Sequence, residues 1–310
     1  MAKQISDAAN NAKAKIHMTT GDKIINLCFY LFIIAFAAIC LIPFLLVISA
    51  SFTEEHTLLL EGYKLIPSKL SLDAYKMVAE SANLFQAYGV TIFVTLVGTA
   101  LSMILSCCMA YAMSVKSFKS RNIVALFIYF TMLFSGGMVP SYLLIKRVLQ
   151  LHNTIWVLIL PSLCSAWNIM LLRNFFNGLP ASLSESAKLD GANDIVILFK
   201  IILPISLPGI ATISLFYALG YWNEWMQCLL YMDYNHQHLY TLQYLIQKML
   251  RDIAFIQDHI GLIPGLEAID MPTYSNRMAT LVVAIGPIIL VYPFIQKYFV
   301  KGLTVGSVKG

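Results

Sequence analysis

Charge is what this sequence has least of. Asp, Glu, Lys and Arg make up 12% of its 310 residues, against about 25% in ordinary soluble domains. Hydrophobic residues make up 59%, and the mean hydropathy is +0.73. A soluble globular domain is therefore excluded, and lipid explains the deficit, since side chains facing hydrocarbon need no charge. The net charge of +5 is then no sign of nucleic-acid binding and has to be read by position. Nucleotide-binding chemistry is missing too: no Gly-Lys-Ser or Gly-Lys-Thr occurs, so there is no Walker A loop. No His-Glu-x-x-His, paired membrane aspartates or Gly-x-Ser-Gly loop appears, which argues against an intramembrane enzyme. The six cysteines (Cys28, Cys40, Cys107, Cys108, Cys164 and Cys228) form no Cys-x-x-Cys pair. They fall in or at the ends of apolar runs, which suits packing better than a disulfide framework. The polar stretch 1–21 has no small-residue cleavage site before the first apolar run, so that run is expected to stay as an anchor.

What is present is a series of long apolar runs. About 20 such residues make a helix that crosses the hydrocarbon layer. Six segments qualify, at about 24–50, 86–114, 122–140, 154–176, 207–231 and 277–299, so the sequence predicts an all-α membrane protein of six transmembrane helices. The third should kink or end near Ser135-Gly136-Gly137 and Pro140. The stretch 139–151, carrying Lys146 and Arg147, suits a short helix along the interface. Basic residues set the orientation. With the N-terminus inside, Lys3, Lys13, Lys15, Lys23, Lys116, Lys119, Arg121, Arg173, Lys188, Lys200, Lys297, Lys301 and Lys309 are cytoplasmic, thirteen of the 21. The outer segments hold the other eight over greater length, as the positive-inside rule requires. Both termini are then cytoplasmic in a multi-pass membrane protein, and 51–85 and 232–276 are the larger outer segments. No internal repeat or second domain stands out. The division is a cytoplasmic segment 1–23, a membrane domain 24–304 and a cytoplasmic tail 305–310.

One polar stretch interrupts this pattern on the cytoplasmic side, within the loop 178–206. Pro180 blocks continuation of the fourth span. Ser182 with Glu185 three residues on spells a capping box, so a short helix should start there. Gly191 marks a helix stop or a turn that a side chain would obstruct. A second helical piece, 194–202, leads to Pro204 and Pro208 at the start of the fifth span. Small residues Ser186, Ala187 and Gly191, facing outward, would let a soluble partner approach closely. A structured connector with no partner is the plainer alternative.

The same residues carry a resemblance. Glu185-Ser186-Ala187, then Gly191, then Ile201-Ile202-Leu203-Pro204 is similar to the EAA motif of permease subunits of binding-protein-dependent ABC importers, with Ser186 in place of the usual Ala. Pro140-Ser141-Tyr142-Leu143-Leu144, Asn153-Thr154, the run 171–176 and Lys188-Leu189-Asp190-Gly191-Ala192 look like the carbohydrate-uptake branch, the maltose-type second permease. Ser135-Gly136-Gly137-Met138-Val139-Pro140 is closer to the complex-polysaccharide group. The resemblance implies a type I ABC importer permease fold with a cytoplasmic coupling helix at about 182–192, held in a cleft of an ATPase subunit. Glu185, Ser186, Ala187, Asp190, Gly191, Ile201, Leu203 and Pro204 would be the ATPase-coupling residues. It further implies a second homologous permease in a heterodimer, two cytoplasmic ATPase subunits that bind ATP and Mg, and an extracellular solute-binding protein. No cofactor or metal belongs to this chain itself, and no nucleic acid is a partner.

For the substrate pathway, Glu224 is the one acidic residue deep in an expected span, where charge is costly and faces a cavity or the bundle interior. Tyr217, Tyr221, Glu224 and Cys228 have the spacing of one helical face. With Asn223 and Trp225 they offer aromatic planes beside amide and carboxylate groups, which suits sugar rings. The competing reading is interhelical hydrogen bonding between permease halves, and Asn168 shares that ambiguity. In the outer segment, His236-x-His238 is too little for a metal site. Tyr234, Tyr240, Tyr244, Asp252, Asp258 and His259 there suit a surface that receives a binding protein. A secondary transporter driven by an ion gradient is the alternative function. It would want carboxylate relays in several spans and an inverted repeat, and Glu224 alone supplies little of that.

Overall fold

The computed structural model describes residues 20–80, 84–259, 274–287 and 289. Among these residues the chain is helical between its turns, and no sheet forms beyond an isolated antiparallel bridge from Thr53 to Leu70. Helix α1, Thr20–Ser51, has 32 residues and at 1.5 Å per residue runs about 48 Å, more than a hydrocarbon layer of about 30 Å. Only Ser49, Ala50 and Ser51 of it are buried in this chain; the apolar remainder faces outward. Two short helices follow, α2 at Glu55–Glu61 and α3 at Asp73–Glu80.

Helix α4, Leu84–Ser114, is the centre of the molecule. Its Val94, Met103, Cys107 and Ala110 join the main core. Helix α5, Arg121–Leu133, packs Ala125 and Ile128 beside Met113 of α4. The chain then bends by 111° at the Ser135-Gly136-Gly137 step, with Gly137 at φ +87°. There the Ser135 hydroxyl accepts the Gly137 N–H. Helix α6, Met138–Leu143, runs on through a π turn at Leu144–Val148.

Two 3-10 turns, Ile155–Leu158 and Leu160–Ser162, precede α7, Ala166–Asn177, with a 49° bend between them. Then come α8, Ala181–Leu189, and α9, Asp194–Ile197, which continues through a π turn at Leu198–Ile202 to Leu203–Ile205. The π turn sits just ahead of Pro204, whose missing N–H and bulky ring disfavour a regular α-turn. After an 88° bend come α10, Leu207–Trp222, and α11, Met226–Tyr231. A 3-10 stretch, Tyr234–Leu239, leads to α12, Leu242–His259, and a last helical run occupies 274–287.

The kink expected in the third run is present, whereas the expected straight fourth and fifth crossings are corrected. Among the described residues only α1 and α4 are single helices long and apolar enough to span; the third and fourth runs are bent pairs, α10 forms another with the segment Asp194–Ile205 ahead of it, and the fifth run breaks after Trp222. Gly137, Pro161 and Pro204 each stand at or beside a bend, where a lost donor or a left-handed residue ends regular winding. The expected sixth span, 277–299, is helical over 277–287, and 290–299 lies outside the described residues. So do most of the N-terminal segment, residues 1–19, and the tail 305–310.

Polar contacts from α2 and α4 help tie the last run to the rest. Glu55 of α2 accepts the backbone N–H of Tyr274 at 2.9 Å and of Ser275 at 2.8 Å, and the Ser275 hydroxyl at 2.7 Å. A carboxylate at a helix start satisfies orphan donors and complements the helix dipole. The Tyr88 hydroxyl donates to the Val283 carbonyl at 2.6 Å.

Candidate functional site

The hairpin of α8 and α9 projects from the end of α7. Asn177-Gly178 closes α7, and Pro180 stands at the N-cap of α8 with no side-chain cap bond. The expected capping box between Ser182 and Glu185 does not form, because the helix starts at Ala181 and Ser182 is already inside it. Its other end is a Schellman closure: the Ala192 N–H bonds the Ala187 carbonyl at 2.9 Å and the Gly191 N–H bonds the Lys188 carbonyl at 3.1 Å. Gly191 takes φ +81°, and a Cβ built there meets nothing within 4 Å. The glycine is required by backbone conformation, not by a crowded neighbour, which corrects the expected obstruction. Asn193 then caps α9 by accepting the Val196 N–H at 2.9 Å.

Exposure sorts the motif residues. Glu185, Ser186, Asp190, Gly191 and Pro204 are exposed, whereas Ile201 and Leu203 are half-buried against the core. Ala187 is buried and joins Ile197, Leu198 and Ile202 in the core. The expectation that Ala187 faces outward is therefore corrected: its small side chain lets α8 lie close to its own domain. The outward apolar residue of α8 is Leu189, 90% exposed, which is not among the expected coupling residues. An isolated Leu between Lys188 and Asp190 on a polar nine-residue helix was the available signal.

A polar junction also escaped the sequence reading. The Tyr111 hydroxyl, near the end of α4, donates to Asp194 Oδ1 at 3.2 Å. The same oxygen meets Lys188 Nζ at 3.0 Å. One carboxylate thus joins the membrane helix α4, the outer helix of the hairpin and the inner one. Its hydrogen bond to Lys188 holds the Asp194 carboxyl below its ordinary value. Between α4, α7 and α8 lies a cavity of about 310 Å³ lined in part by Tyr111, Phe176, Pro180, Ser184, Glu185 and Lys188. Space beside a pinned helix leaves it room to rock.

The candidate pathway residues separate into two groups. Tyr217 and Tyr221 are buried, and their hydroxyls are engaged within this chain. Tyr217 pairs with the Ser106 hydroxyl at 2.7 Å and accepts the Ser165 N–H at 3.1 Å. Tyr221 pairs with Ser102 at 3.0 Å and donates to the Ile159 carbonyl at 3.1 Å. Gly98 permits this contact, since a Cβ there would stand 2.7 Å from the Tyr221 ring. Both tyrosines fasten α10 to α4 and to the segment before α7.

Asn223, Glu224 and Trp225 do not continue their helical face, because the helix stops at Trp222. Glu224 instead stands two residues ahead of α11: its Oε1 accepts the Gln227 N–H of the first turn at 2.8 Å, and its carbonyl accepts the Thr241 hydroxyl at 2.8 Å. Asn223 is exposed and donates to the Leu219 carbonyl, and Trp225 is half-buried against the core. The structure brings these three together at a helix break, with Gln227 Oε1 buried and unpartnered beside them. Asn168 is buried, and its N–H reaches the Ser165 hydroxyl. Among the described residues no cluster of three His, Cys, Asp or Glu could hold a metal. Asp258 and His259 have side chains outside the described set.

Comparison with known proteins adds the family. The profile of the binding-protein-dependent transport system inner membrane component matches residues 17–305. The polygalacturonan/rhamnogalacturonan transport system permease protein YtcP of Bacillus subtilis is 43% identical over 293 residues, covering 93% of this chain and 99% of that protein. The arabinooligosaccharides transport system permease protein AraQ of Halalkalibacterium halodurans is 31% identical, covering 88% and 93%. A crystal structure of a bacterial ABC transporter involved in the import of the acidic polysaccharide alginate contains a chain that superposes with a TM-score of 0.76. It is 29% identical, and the match covers 91% of this chain and 99% of that one. With the profile spanning residues 17–305, this chain belongs to the family of binding-protein-dependent transport system inner membrane components.

Proposed function

We propose that this chain is one of two homologous permease subunits of an ATP-driven importer that takes up oligosaccharides delivered by an extracellular solute-binding protein. Membership of the family makes it a membrane transport subunit without a catalytic site of its own. The finer reading adds six crossings, both termini in the cytoplasm, and two cytoplasmic ATPase subunits that bind ATP and Mg. The relatives named for polygalacturonan and arabinooligosaccharide transport support a sugar oligomer as cargo.

The observation that carries the mechanism is the hairpin of α8 and α9. It presents Glu185, Ser186 and Leu189 to a soluble partner, while Ala187, Ile197 and Leu198 anchor it to the membrane domain. Burying one Leu in a partner's groove supplies about 1.5–3 kcal/mol. When the ATPases close, a force on α8 passes through Asp194 to α4 and along α9 to α10. Helices α4 and α10 are bolted together by Tyr217 and Tyr221, so they move as one body. That rigid movement is what alternating access requires. Asn223–Trp225, at a break in the fifth span, is where a sugar could contact this subunit.

The test is purification of the intact complex followed by reconstitution. Uptake should require ATP and the binding protein, and an ATPase and a second permease should co-purify. Uptake driven by an ion gradient without ATP would overturn the reading.

A further inference from the structure

The outer segment after α11 holds a group of cations over phenol rings that the transport mechanism above does not use. Helix α12 packs Leu242, Leu245 and Ile246 with Ala74 and Val78 of α3 and with Ala279 and Ala284 of the last run, while its Tyr244 joins the main core. Its other side carries Lys248 and Arg251, one turn apart and so neighbours on the surface. Lys248 Nζ lies 5.4 Å from the centre of the Tyr234 ring and 5.8 Å from that of Tyr240. Arg251 lies 5.9 Å from the Tyr244 ring, and Tyr240 and Tyr244 meet edge to face with centres 4.7 Å apart. The charges are thus held in place by aromatic faces. Neither cation has a carboxylate within 4.0 Å among the described residues. Of the acids in this segment, Asp233 is bound by the Asn153 side-chain amide at 2.7 Å, and the exposed Asp252, next to Arg251 on α12, forms no ion pair with either cation.

Cation–π contact is weaker than a charged hydrogen bond to a carboxylate. An arriving carboxylate therefore finds two positioned donors at little cost. Tyr234 is 74% exposed and offers a flat apolar face beside them. The group also adjoins the transport path: Tyr240 precedes Thr241, whose hydroxyl holds the Glu224 carbonyl.

We propose that Lys248 and Arg251, with Tyr234 as a stacking face, form a receiving site for the carboxylates of an acidic, uronate-containing oligosaccharide on its way to Asn223–Trp225. This rests on the oligosaccharide reading and on the outer placement of 232–276. Sugar rings stack an apolar face on Tyr while guanidinium and ammonium groups select the acid. The site thus sets which sugars pass, in addition to the selection made by the binding protein.

The test uses the whole transporter in proteoliposomes with its binding protein. Uptake of trigalacturonate is compared with uptake of a neutral galactose trisaccharide, for the wild type, K248Q, R251Q, the double variant and K248R. Direct binding of trigalacturonate to the purified complex without binding protein gives a second readout. Losing one charge-assisted contact corresponds to about tenfold in affinity. The double variant should raise the KM for trigalacturonate about tenfold or more, leave kcat near wild type, leave the neutral sugar unchanged and weaken direct binding. K248R, which keeps the charge, should stay close to the wild type in KM and in direct binding. Equal losses for charged and neutral sugars, or unaltered direct binding, overturn the proposal. So does a change confined to the binding-protein concentration needed for half-maximal ATP turnover, which would make the patch a protein-docking surface. A wild type that imports the neutral trisaccharide but not trigalacturonate overturns the acidic site alone. One that imports neither defeats the oligosaccharide reading beneath it.

Discussion

Replacing Gly191 tests whether the hairpin acts through its backbone shape. The residue stands at φ +81° with open space where a Cβ would go. A substitution therefore costs conformational energy and meets no clash within the chain. An L-residue in the left-handed region costs about 1–2 kcal/mol, less for Asn and more for a β-branched side chain. At about 1.4 kcal/mol per decade, Ala should lower the population of the closed hairpin roughly 5- to 30-fold. Asn should be milder than Ala although it is larger, and Val should be worst. The assays are ATPase capture by the purified permease pair and uptake per ATP hydrolysed, with membrane insertion as the control. An order that follows side-chain size, with Asn worse than Ala, would refute the backbone argument and point to direct contact at Gly191. A flat series would refute any role for the turn.

The remaining predictions concern how force and stability are carried. Asp194→Asn and Tyr111→Phe should each lower uptake per ATP while ATPase capture persists. Their effects should be less than additive, because both remove one junction. The exposed Lys188 contact alone contributes no more than about 1 kcal/mol. The folded Asp194 carboxyl sits below its ordinary value, so its contribution is present above the unfolded pKa and lost as pH falls through the folded one. Hydrogen exchange in 181–206 should accordingly rise only below about pH 4, near the ordinary Asp value and downward. Gly98→Ala should cost about 1–3 kcal/mol by overpacking against Tyr221, read as a lower thermal midpoint in detergent, with partial recovery when Tyr221→Leu is added. Glu55→Gln should cost about 1–3 kcal/mol by weakening three charge-assisted bonds at the start of the last run, read as faster proteolysis near residue 274.

Much of the architecture was legible in the residues because hydrocarbon imposes a simple pattern. Helix α4 ends at Ser114, as its apolar run does, and the glycine pair before Pro140 marks the sharpest bend. Gly191 and the prolines at 180 and 204 delimit the hairpin because each carries a local backbone rule. What escaped depends on partners distant in sequence. The fifth apolar run reads as one helix to residue 231, yet it breaks at Asn223. There Thr241 takes the Glu224 carbonyl and Glu224 turns back to cap α11. Hydropathy carries no trace of such bonds. Ala187 was assigned the wrong side because α8, at nine residues, is too short for a clear apolar face. Tyr217 and Tyr221 share a face with Glu224 only on an unbroken helix; their serine partners on α4 lie more than a hundred residues away. The junction at Asp194 joins three elements, and no local spacing announces it.

Site-directed crosslinking reads the decisive contact most directly. A single cysteine is placed at Ser186 or Leu189 in an otherwise cysteine-free chain, within the complete transporter in membranes, and treated with a short thiol crosslinker. Covalent adducts with the ATPase subunit, changing in yield between the nucleotide-free and vanadate-trapped states, are the expected result. Cysteines at 186 and 189 that stay free of the ATPase in both states, in a complex still importing sugar, would contradict the account.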